Sequence, residues 1–153
     1  MTNISITEQI SVITFGNIPA EKETEFLHRL FAEAAKENVN IDMISKAPAS
    51  SETACVGFTF SDEDMPKILK ISNSLPYDIT PMVSCGNIKV IIKSADMINA
   101  VGFAERVFVA LSETNTVPSL ITTALDEISV VVRESDFGDF VNHLNEKFKG
   151  SAD

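Results

Sequence analysis

The sequence predicts a protein of the α+β class, built from two copies of one unit in which strands and helices follow the order βαββαβ. Three observations predict this class. The chain of 153 residues is 44% hydrophobic and 22% charged, a balance typical of globular domains. Its second half repeats the first, and each half alternates between the periodicity of strands and that of helices. Antiparallel sheets with helices on one face are the expected architecture.

The internal repeat is carried by two pairs of segments. Arg29–Phe31 aligns with Arg106–Phe108 at an offset of 77 residues, and Val56–Phe60 aligns with Ile128–Val132 at an offset of 72. The offset changes within Ala47–Thr53, a stretch rich in Pro, Ser and Ala. Since loops tolerate changes in length, the repeat indicates two copies of one folding unit that differ in a loop.

The first copy contains the elements of a complete unit. An apolar stripe at helical spacing predicts a helix around Phe26–Ala34, and Ser61 is a suitable N-cap for a second helix. The predicted strands of this copy are Ile10–Phe15, Val39–Lys46, Ala54–Phe60 and Asp78–Val83. The order of these elements is that of the ferredoxin-like, split βαβ plan.

The second copy repeats this order but lacks a strand after its last helix, Ser135–Phe148. Its other predicted elements are Ile88–Ile92, Phe103–Leu111, Val117–Thr123 and Glu127–Val132. A sheet without its last strand would leave an exposed edge, and the N-terminus holds a spare apolar alternation at Asn3–Thr7. We therefore expect residues 3–7 to complete the second unit, with residues 8–84 forming the first unit and residues 85–153 the rest of the second.

Charge and hydropathy exclude several classes of partner. With 12 basic and 22 acidic residues the net charge is −10, which repels nucleic-acid backbones and anionic membranes. No apolar run is long enough to span a bilayer, and the opening residues Met1–Ser5 have no signal-peptide pattern. A cytoplasmic protein with reduced thiols at Cys55 and Cys85 is expected, and the sequence leaves a disulfide between them open.

Signatures of catalysis, cofactors and metals are absent from the sequence. The six glycines form neither a dinucleotide-binding loop nor a Walker loop, and the two histidines and two cysteines have no zinc-site spacing. His28 and His143 fall on mostly polar faces of predicted helices. We expect no catalytic residue, no cofactor and no metal site in this chain.

Three segments resemble a known family. Asn38–Ser45, which reads NVNIDMIS, resembles the INIDMIS strand of ACT domains. Ser94–Leu111 followed by Ser119–Val132 resembles the second ACT domain in the regulatory region of aspartate kinases. The resemblance covers nearly the whole chain. It also accounts for the spare N-terminal strand, which in that family serves the second ACT unit.

The resemblance implies a regulatory function. In this family a pair of ACT units binds lysine, threonine or both at interfaces between ACT units of two chains, so a homodimer and a small amino-acid effector are the implied partners. Catalysis lies in a separate kinase domain, and the aspartate kinase catalytic domain or subunit is a further implied partner. Neither nucleic acid nor a membrane is expected as a partner.

The resemblance also implies a set of effector-binding residues. In the family, main-chain groups of the turn between the first strand and the first helix hold the ligand, and a side-chain acid takes its amine. Transferred to this sequence, the effector-binding residues are Asn17, Ile18, Pro19, Ala20, Glu21, Asn40, Asp42, Lys46, Met97, Asn99, Ala100, Gly102, Thr122 and Thr123. Asp42 has an alternative interpretation as a solvent-facing strand residue.

Departures from the family pattern leave a second interpretation open. The first turn lacks the family's glycine, Lys46 replaces a glutamine, Ala100 replaces a histidine and Leu125 replaces a glutamate. These differences, together with Glu21 and Ala124, favour an alternative function. In that alternative the chain is a dimerising ACT-type interaction protein with a degenerate effector site.

Overall fold

The fold is seen in a computed structural model that describes residues 1–149. Its strands are β1 (Asn3–Pro19), β2 (Ile44–Lys46), β3 (Thr53–Ser61), β4 (Met82–Lys93), β5 (Leu120–Thr123) and β6 (Glu127–Arg133). Its helices are α1 (Glu23–Lys36), α2 (Met65–Ser74), α3 (Phe103–Glu113) and α4 (Glu134–Lys149). The chain forms two compact units. The first unit is Gln9–Cys85, and the second combines Met1–Glu8 with the residues from Gly86 onwards.

The first unit is a sheet with two helices on one face. Its strand order is β2-β3-β1, with antiparallel pairs on both sides of β3, and the opening of β4 is the neighbour of β1. The buried core joins residues of β1, β3, α1 and α2: Ile13, Phe15, Phe26, Leu30, Val56, Phe58, Phe60, Ile68 and Ile71. Phe26 and Leu30 belong to the apolar stripe predicted for the first helix, so this stripe is the core-facing side of α1.

The second unit has the same plan. Its strand order is β4-β6-β5, antiparallel throughout, and α3 and α4 pack together over the core. The opening of β1 supplies the remaining strand, because β1 is the neighbour of β4 and Ile4 packs against the core of this unit. The prediction that the N-terminal strand completes the second unit is confirmed, as is the α+β, ferredoxin-like class.

The strand predicted at Asp78–Val83 is wrong in its position, because only its last two residues lie in a strand. They open β4, which continues through the predicted strand Ile88–Ile92. β1 and β4 each have a left-handed residue at the same position of the repeat, Gln9 (φ 56°) in β1 and Gly86 (φ 68°) in β4, and β1 has a second at Asn17 (φ 56°). Glycine adopts this conformation readily, so Gly86 lies inside a long strand rather than in a connector.

The repeat is visible again where α1 and α3 end. Asn38 (φ 57°) and Asn115 (φ 52°) follow these helices in the left-handed conformation, and the two asparagines occupy equivalent positions. The next amides, those of Val39 and Thr116, donate back into their helices at 2.9 Å. Asparagine is one of the few residues that tolerate this conformation, so both copies use the same signal to end their first helix.

Candidate functional site

The first five predicted effector-binding residues, Asn17–Glu21, lie at the end of β1 and in the 3₁₀ turn that leads to α1. The pairing of β1 with β3 becomes irregular just before this turn, and Asn17 is left-handed (φ 56°). A 3₁₀ turn at Ala20–Lys22 follows, and the Ala20 amide donates to the Glu52 carbonyl at 2.9 Å. The chain therefore passes an irregularity between Phe15 and Ile18, leaves the sheet after Pro19 and reaches α1 within one short turn.

Helix α1 begins directly after this turn. Its N-cap position is Lys22, and no side chain among residues 1–149 caps this helix by a hydrogen bond. The first backbone N–H groups of a helix have no partner within the helix, and they carry a partial positive charge. A 3₁₀ turn precedes α1, and the Glu23 N–H donates to the Ala20 carbonyl, so this helix start can attract a carboxylate through its partial positive charge.

Two cavities border Asn17. The larger, of about 460 Å³, lies between the sheet residues Thr14, Gly16 and Cys55 and the segment Asp78–Met82. The smaller, of about 230 Å³, extends beside the turn and shares part of the same segment. The larger cavity falls in the size range of sites for small molecules.

The residues around the larger cavity include polar groups suited to an amino acid. Asp78 brings a carboxylate, Thr14 and Thr80 bring hydroxyls, and Asn17 brings a side-chain amide. A carboxylate forms charge-assisted hydrogen bonds with an ammonium, and hydroxyls and amides both donate and accept. These residues therefore include a partner for the ammonium of an amino acid, Asp78, and hydrogen-bond donors for its carboxylate.

The sequence reasoning missed the segment that closes this cavity. It placed Asp78 in a strand and gave no role to Cys55 or Thr80. The signal that could have marked the segment as a loop is the pair of prolines, Pro76 and Pro81, that bracket it. Its position beside Asn17 depends on packing between residues far apart in sequence, which no local pattern reveals.

Tyr77 packs beside the same turn. Its ring lies 5.2 Å from the ring of Phe26 at an interplanar angle of 75°. The hydroxyl oxygen of Tyr77 is buried and has no partner among residues 1–149 with the geometry of a hydrogen bond. Burial of the hydroxyl, and then the nearby Glu25 carboxylate, raise the pKa of Tyr77, because both disfavour a phenolate.

The titration of Tyr77 is a direct test, because the chain has one tyrosine and no tryptophan. We expect phenolate absorbance to appear at higher pH in the folded protein than in denaturant. A raised pKa means that the folded state favours the protonated phenol. This contribution to stability is therefore present below the unfolded pKa of about 10 and is lost as the pH rises through the folded pKa. Glu25→Gln should move the folded midpoint down, and equal midpoints in the folded and unfolded chains would contradict the packing of Tyr77.

Lys46 of β2 lies at the same end of the first unit as the turn. Its Nζ is 2.6 Å from Oε1 of Glu23, the first residue of α1. The strand register explains this position, because Lys46 is opposite Val56 of β3, which is opposite Phe15 of β1 just before the turn. The structure therefore brings Lys46 and the turn Asn17–Glu21 together.

Asn40 and Asp42 lie at the other end of the same sheet. The Asp42 amide donates to the Thr59 carbonyl at 3.1 Å, whereas β1 reaches the turn beside Ala54. The separation of Thr59 from Ala54 along β3 corresponds to about 17 Å. Both Asn40 and Asp42 are exposed. Within one chain, the structure does not bring these two predicted residues to the turn.

The corresponding connection of the second unit lies between β4 and α3. It contains the predicted residues Met97, Asn99, Ala100 and Gly102. Gly102 is left-handed (φ 89°) and occupies the N-cap position of α3, which also lacks a side-chain cap within residues 1–149. This connection therefore repeats one feature of the first unit, a helix start without a side-chain cap.

Thr122 and Thr123 lie at the same end of the second unit as this connection. Thr123 is opposite Ile128 of β6, and Ile128 is opposite Ile92 near the end of β4. The structure thus brings the predicted residues of the second unit to one end of its sheet. Effector binding by the predicted residues of either unit stays a prediction.

Clusters of metal-ligating side chains and membrane-spanning helices are both absent from residues 1–149. Residues 1–149 contain no group of three or more His, Cys, Asp or Glu side chains placed to hold a metal ion. No helix in this range is long and apolar enough to cross a membrane. Both cysteines are free and exposed, so the disulfide that the sequence left open is not formed.

Comparison with known families identifies the type of domain. The family model described as ACT domain matches residues 82–148. Residues 82–148 are therefore similar to an ACT domain. The matched range includes β4, β5 and β6 and nearly all of the two helices of the second unit, so the family plan and the observed fold agree.

Curated relatives of this chain are aspartokinases. It is 30% identical over 145 residues to "Aspartokinase" of Geobacillus stearothermophilus, a match covering 95% of this chain and 35% of the relative. It is 25% identical over 150 residues to "Aspartokinase 2" of Bacillus subtilis (strain 168), covering 95% of this chain and 36% of the relative. The chain therefore spans about a third of the length of these relatives.

A solved structure with the same fold is the ligand-free regulatory subunit of aspartate kinase from Thermus thermophilus. The TM-score is 0.85 at 16% identity, and the match covers 95% of this chain and 96% of that one. At 16% identity the similarity shows a shared fold alone. The aspartokinase relatives add similarity in sequence. The resemblance of this chain to the regulatory region of aspartate kinases is confirmed.

Proposed function

We propose that this chain is a regulatory amino-acid-binding module of the aspartate kinase type, which binds lysine or threonine and dimerises through its ACT units in the cytoplasm. The observation that carries the proposal is the arrangement in the first unit. There two cavities share Asn17, Asp78 and Ile79, and Lys22, the N-cap residue of α1, lines the smaller of them. These groups offer partners for the carboxylate and the ammonium of one small ligand.

Regulation follows from differential binding. An effector that binds one arrangement of the ACT units more tightly than another shifts the population toward the first. An aspartate kinase catalytic domain or subunit attached to these units would sense that shift, and the coupling between effector and kinase is reciprocal. The similarity to aspartokinases supports this choice of partner.

Binding is tested by thermal unfolding of the purified protein with each common amino acid, together with Tyr77 fluorescence. Ligand at 100 times its Kd contributes about 2.7 kcal/mol to stability. For a chain of this size, we expect lysine or threonine to raise the Tm by about 5–10 °C. Tyr77 fluorescence should change with the same midpoint, because Tyr77 borders the smaller cavity.

A variant pair makes this test specific to the cavity. Asp78→Asn removes the carboxylate beside Asn17 and should weaken effector binding about 3- to 5-fold. Asp139→Asn, on the exposed side of α4, is the matched control and should leave binding unchanged. Equal affinities for both variants and the unmodified protein would contradict the placement of the effector.

The alternative function, a dimerising interaction protein without an effector, has its own supporting observation. Large apolar side chains are exposed at the outermost strands of both units: Ile44 (51%) in β2, and Val117 (72%) just before β5. Phe108 of α3 is also 51% exposed and borders the same groove as Val117. A dimer seen by sedimentation, in which no amino acid raises the Tm, would favour this alternative.

A further inference from the structure

The segment that joins α2 to β4, residues 75–81, borders both cavities of the candidate site. Asp78 and Ile79 line both cavities, and Thr80 lines the larger one. No hydrogen bond joins the backbone of residues 76–80 to the backbone of another described residue. Side-chain packing, rather than pairing with a strand, therefore holds this connecting segment in place.

The side chains of the connecting segment alternate between the core and the cavity. Three of them are half-buried and pack against the core of the first unit: Leu75, Tyr77 and Ile79. Asp78 and Thr80 are exposed and line the larger cavity. Because successive side chains of an extended chain point to opposite sides, the inward side chains set the direction of the outward ones.

The ring of Tyr77 makes the central contact of the connecting segment. Its centroid lies 5.2 Å from that of Phe26, a side chain on the first turn of α1 that is 0% exposed. The Tyr77 hydroxyl has no hydrogen-bond partner among residues 1–149, so this contact depends on the ring. An aromatic ring buries a large area, and its loss should therefore free the segment.

The repeat shows what the connecting segment replaces. With the offset of 77 residues, Thr80 corresponds to Asn3. Asn3 is already the first residue of β1, whereas β4 begins only at Met82. Pro81 has no N–H to donate, which disfavours an earlier start of the strand. In the second unit a strand therefore occupies this position, and in the first unit a segment held by its side chains does.

We propose that Tyr77 is a positioning residue, whose ring holds the connecting segment against α1 so that the Asp78 carboxylate faces the cavity and binds the ammonium of the effector. The inference rests on the proposed amino-acid site and deepens it. Tyr77 directly precedes Asp78, so a displaced ring displaces the carboxylate. A carboxylate on a loosened segment loses more conformational freedom when it binds, and this cost lowers the affinity.

The test is a double-mutant cycle, measured by isothermal titration calorimetry with lysine and with threonine on the whole chain. Tyr77→Ala should weaken binding about 3- to 5-fold, as Asp78→Asn does, because both remove the positioned carboxylate. In the double variant the affinity should stay within about twofold of that of Asp78→Asn. Two independent contributions would instead multiply to a loss of about 9- to 25-fold.

Two further variants separate positioning from general loss of stability. Tyr77→Phe keeps the ring and should restore the affinity to within about twofold of the unmodified protein. Phe31→Ala is the matched control, because Phe31 packs half-buried on the same core, with its ring 5.3 Å from that of Phe58, and lines neither of the two cavities. This control should lower the Tm and leave the affinity unchanged.

Limited proteolysis tests the anchoring without any ligand. Thermolysin cleaves before large apolar residues, and Ile79 offers such a bond within the connecting segment. Under native conditions Tyr77→Ala should be cut before Ile79 at least about tenfold faster than the unmodified protein, because the segment opens locally. Tyr77→Phe and Phe31→Ala should be cut there at nearly the rate of the unmodified protein.

Several outcomes would overturn the inference and leave the proposed amino-acid site intact. These are an unchanged affinity in Tyr77→Ala, independent losses in the double variant, equal losses in Tyr77→Phe and Tyr77→Ala, and resistance of Tyr77→Ala to thermolysin. Absence of binding by both amino acids in the unmodified protein would overturn the proposed function, and the positioning role with it. The two failures are therefore distinguishable.

Discussion

Replacing Phe58 with alanine is expected to lower the free energy of unfolding by about 3–5 kcal/mol. Phe58 of β3 is 0% exposed and lies at the centre of the aromatic core of the first unit. Its ring centroid is 5.3 Å from that of Phe31, 6.0 Å from Phe60 and 6.3 Å from Phe15. Alanine would leave a cavity among these three rings. Because the sheet and α1 hold the rings in place, the neighbouring side chains cannot move in to fill the cavity.

The matched control for this prediction is Phe108→Ala. Phe108 is the same residue type but is 51% exposed on α3, and its removal should cost less than about 1 kcal/mol. Urea unfolding followed by far-UV circular dichroism measures both losses, and Tyr77 fluorescence follows the first unit because Tyr77 packs on its core. Similar losses for the two variants would contradict the assignment of Phe58 to the core.

The helices were predictable because helical periodicity is local. Phe26, Leu30 and Ala34 form the predicted stripe on α1, and all three are buried. On α4 the predicted stripe includes Phe140 and Leu144, each 0% exposed. A helix satisfies its backbone hydrogen bonds within itself, so its apolar face is readable from spacing alone.

The strands were less predictable because a strand exists only where a partner pairs with it. The predicted strand Val39–Lys46 is reduced to the last three residues, β2, which are the ones paired with β3. Gln9 is left-handed without any glycine to signal it, and this residue lies within β1. Only the repeat, which aligns Gln9 with Gly86, hints at a special backbone position there.

The candidate site was predictable in part. The resemblance named the turn Asn17–Glu21 and Lys46, which the structure brings together at one end of the first unit. It could not reveal that Lys46 is already paired with Glu23, because that contact depends on the register between β2 and β3. Asp78 was missed because it lies in the loop that follows α2, and only the tertiary fold places this loop beside Asn17.

Deleting residues 2–7 is expected to destabilise the second unit, with the largest effect on β4. These residues form the opening of β1, which lies beside β4, and Ile4 packs against the core of this unit. An apolar side chain of this size contributes about 1.5–3 kcal/mol when fully buried, so loss of the half-buried Ile4 alone should cost about 1 kcal/mol. The lost backbone hydrogen bonds of the strand add about 1 kcal/mol each.

Hydrogen exchange distinguishes this local effect from general unfolding. In an antiparallel sheet, alternate residues of a central strand bond to its two neighbours. The amides of β4 that face β6, within the pairs Asn87–Lys93 with Glu127–Arg133, should keep their protection in the deletion variant. Amides at the alternate positions should exchange at least about tenfold faster. Uniform loss of protection along β4 would contradict the view that only one edge is uncovered.

Two point substitutions distinguish the contribution of the Ile4 side chain to stability from that of the strand's backbone hydrogen bonds. Ile4→Asp puts a charge at a position that packs on the core and should cost about 2 kcal/mol, whereas Ser5→Asp, at an exposed position, should cost less than about 0.5 kcal/mol. Both substitutions keep the strand's backbone, so β4 should stay protected in Ser5→Asp. Successive side chains of a strand point to opposite faces of the sheet, so Ile4 and Ser5 cannot both face the core. Equal losses of unfolding free energy in the two variants would mean that Ile4 does not pack on the core of the second unit. The opening strand would then stabilise this unit through its backbone hydrogen bonds alone.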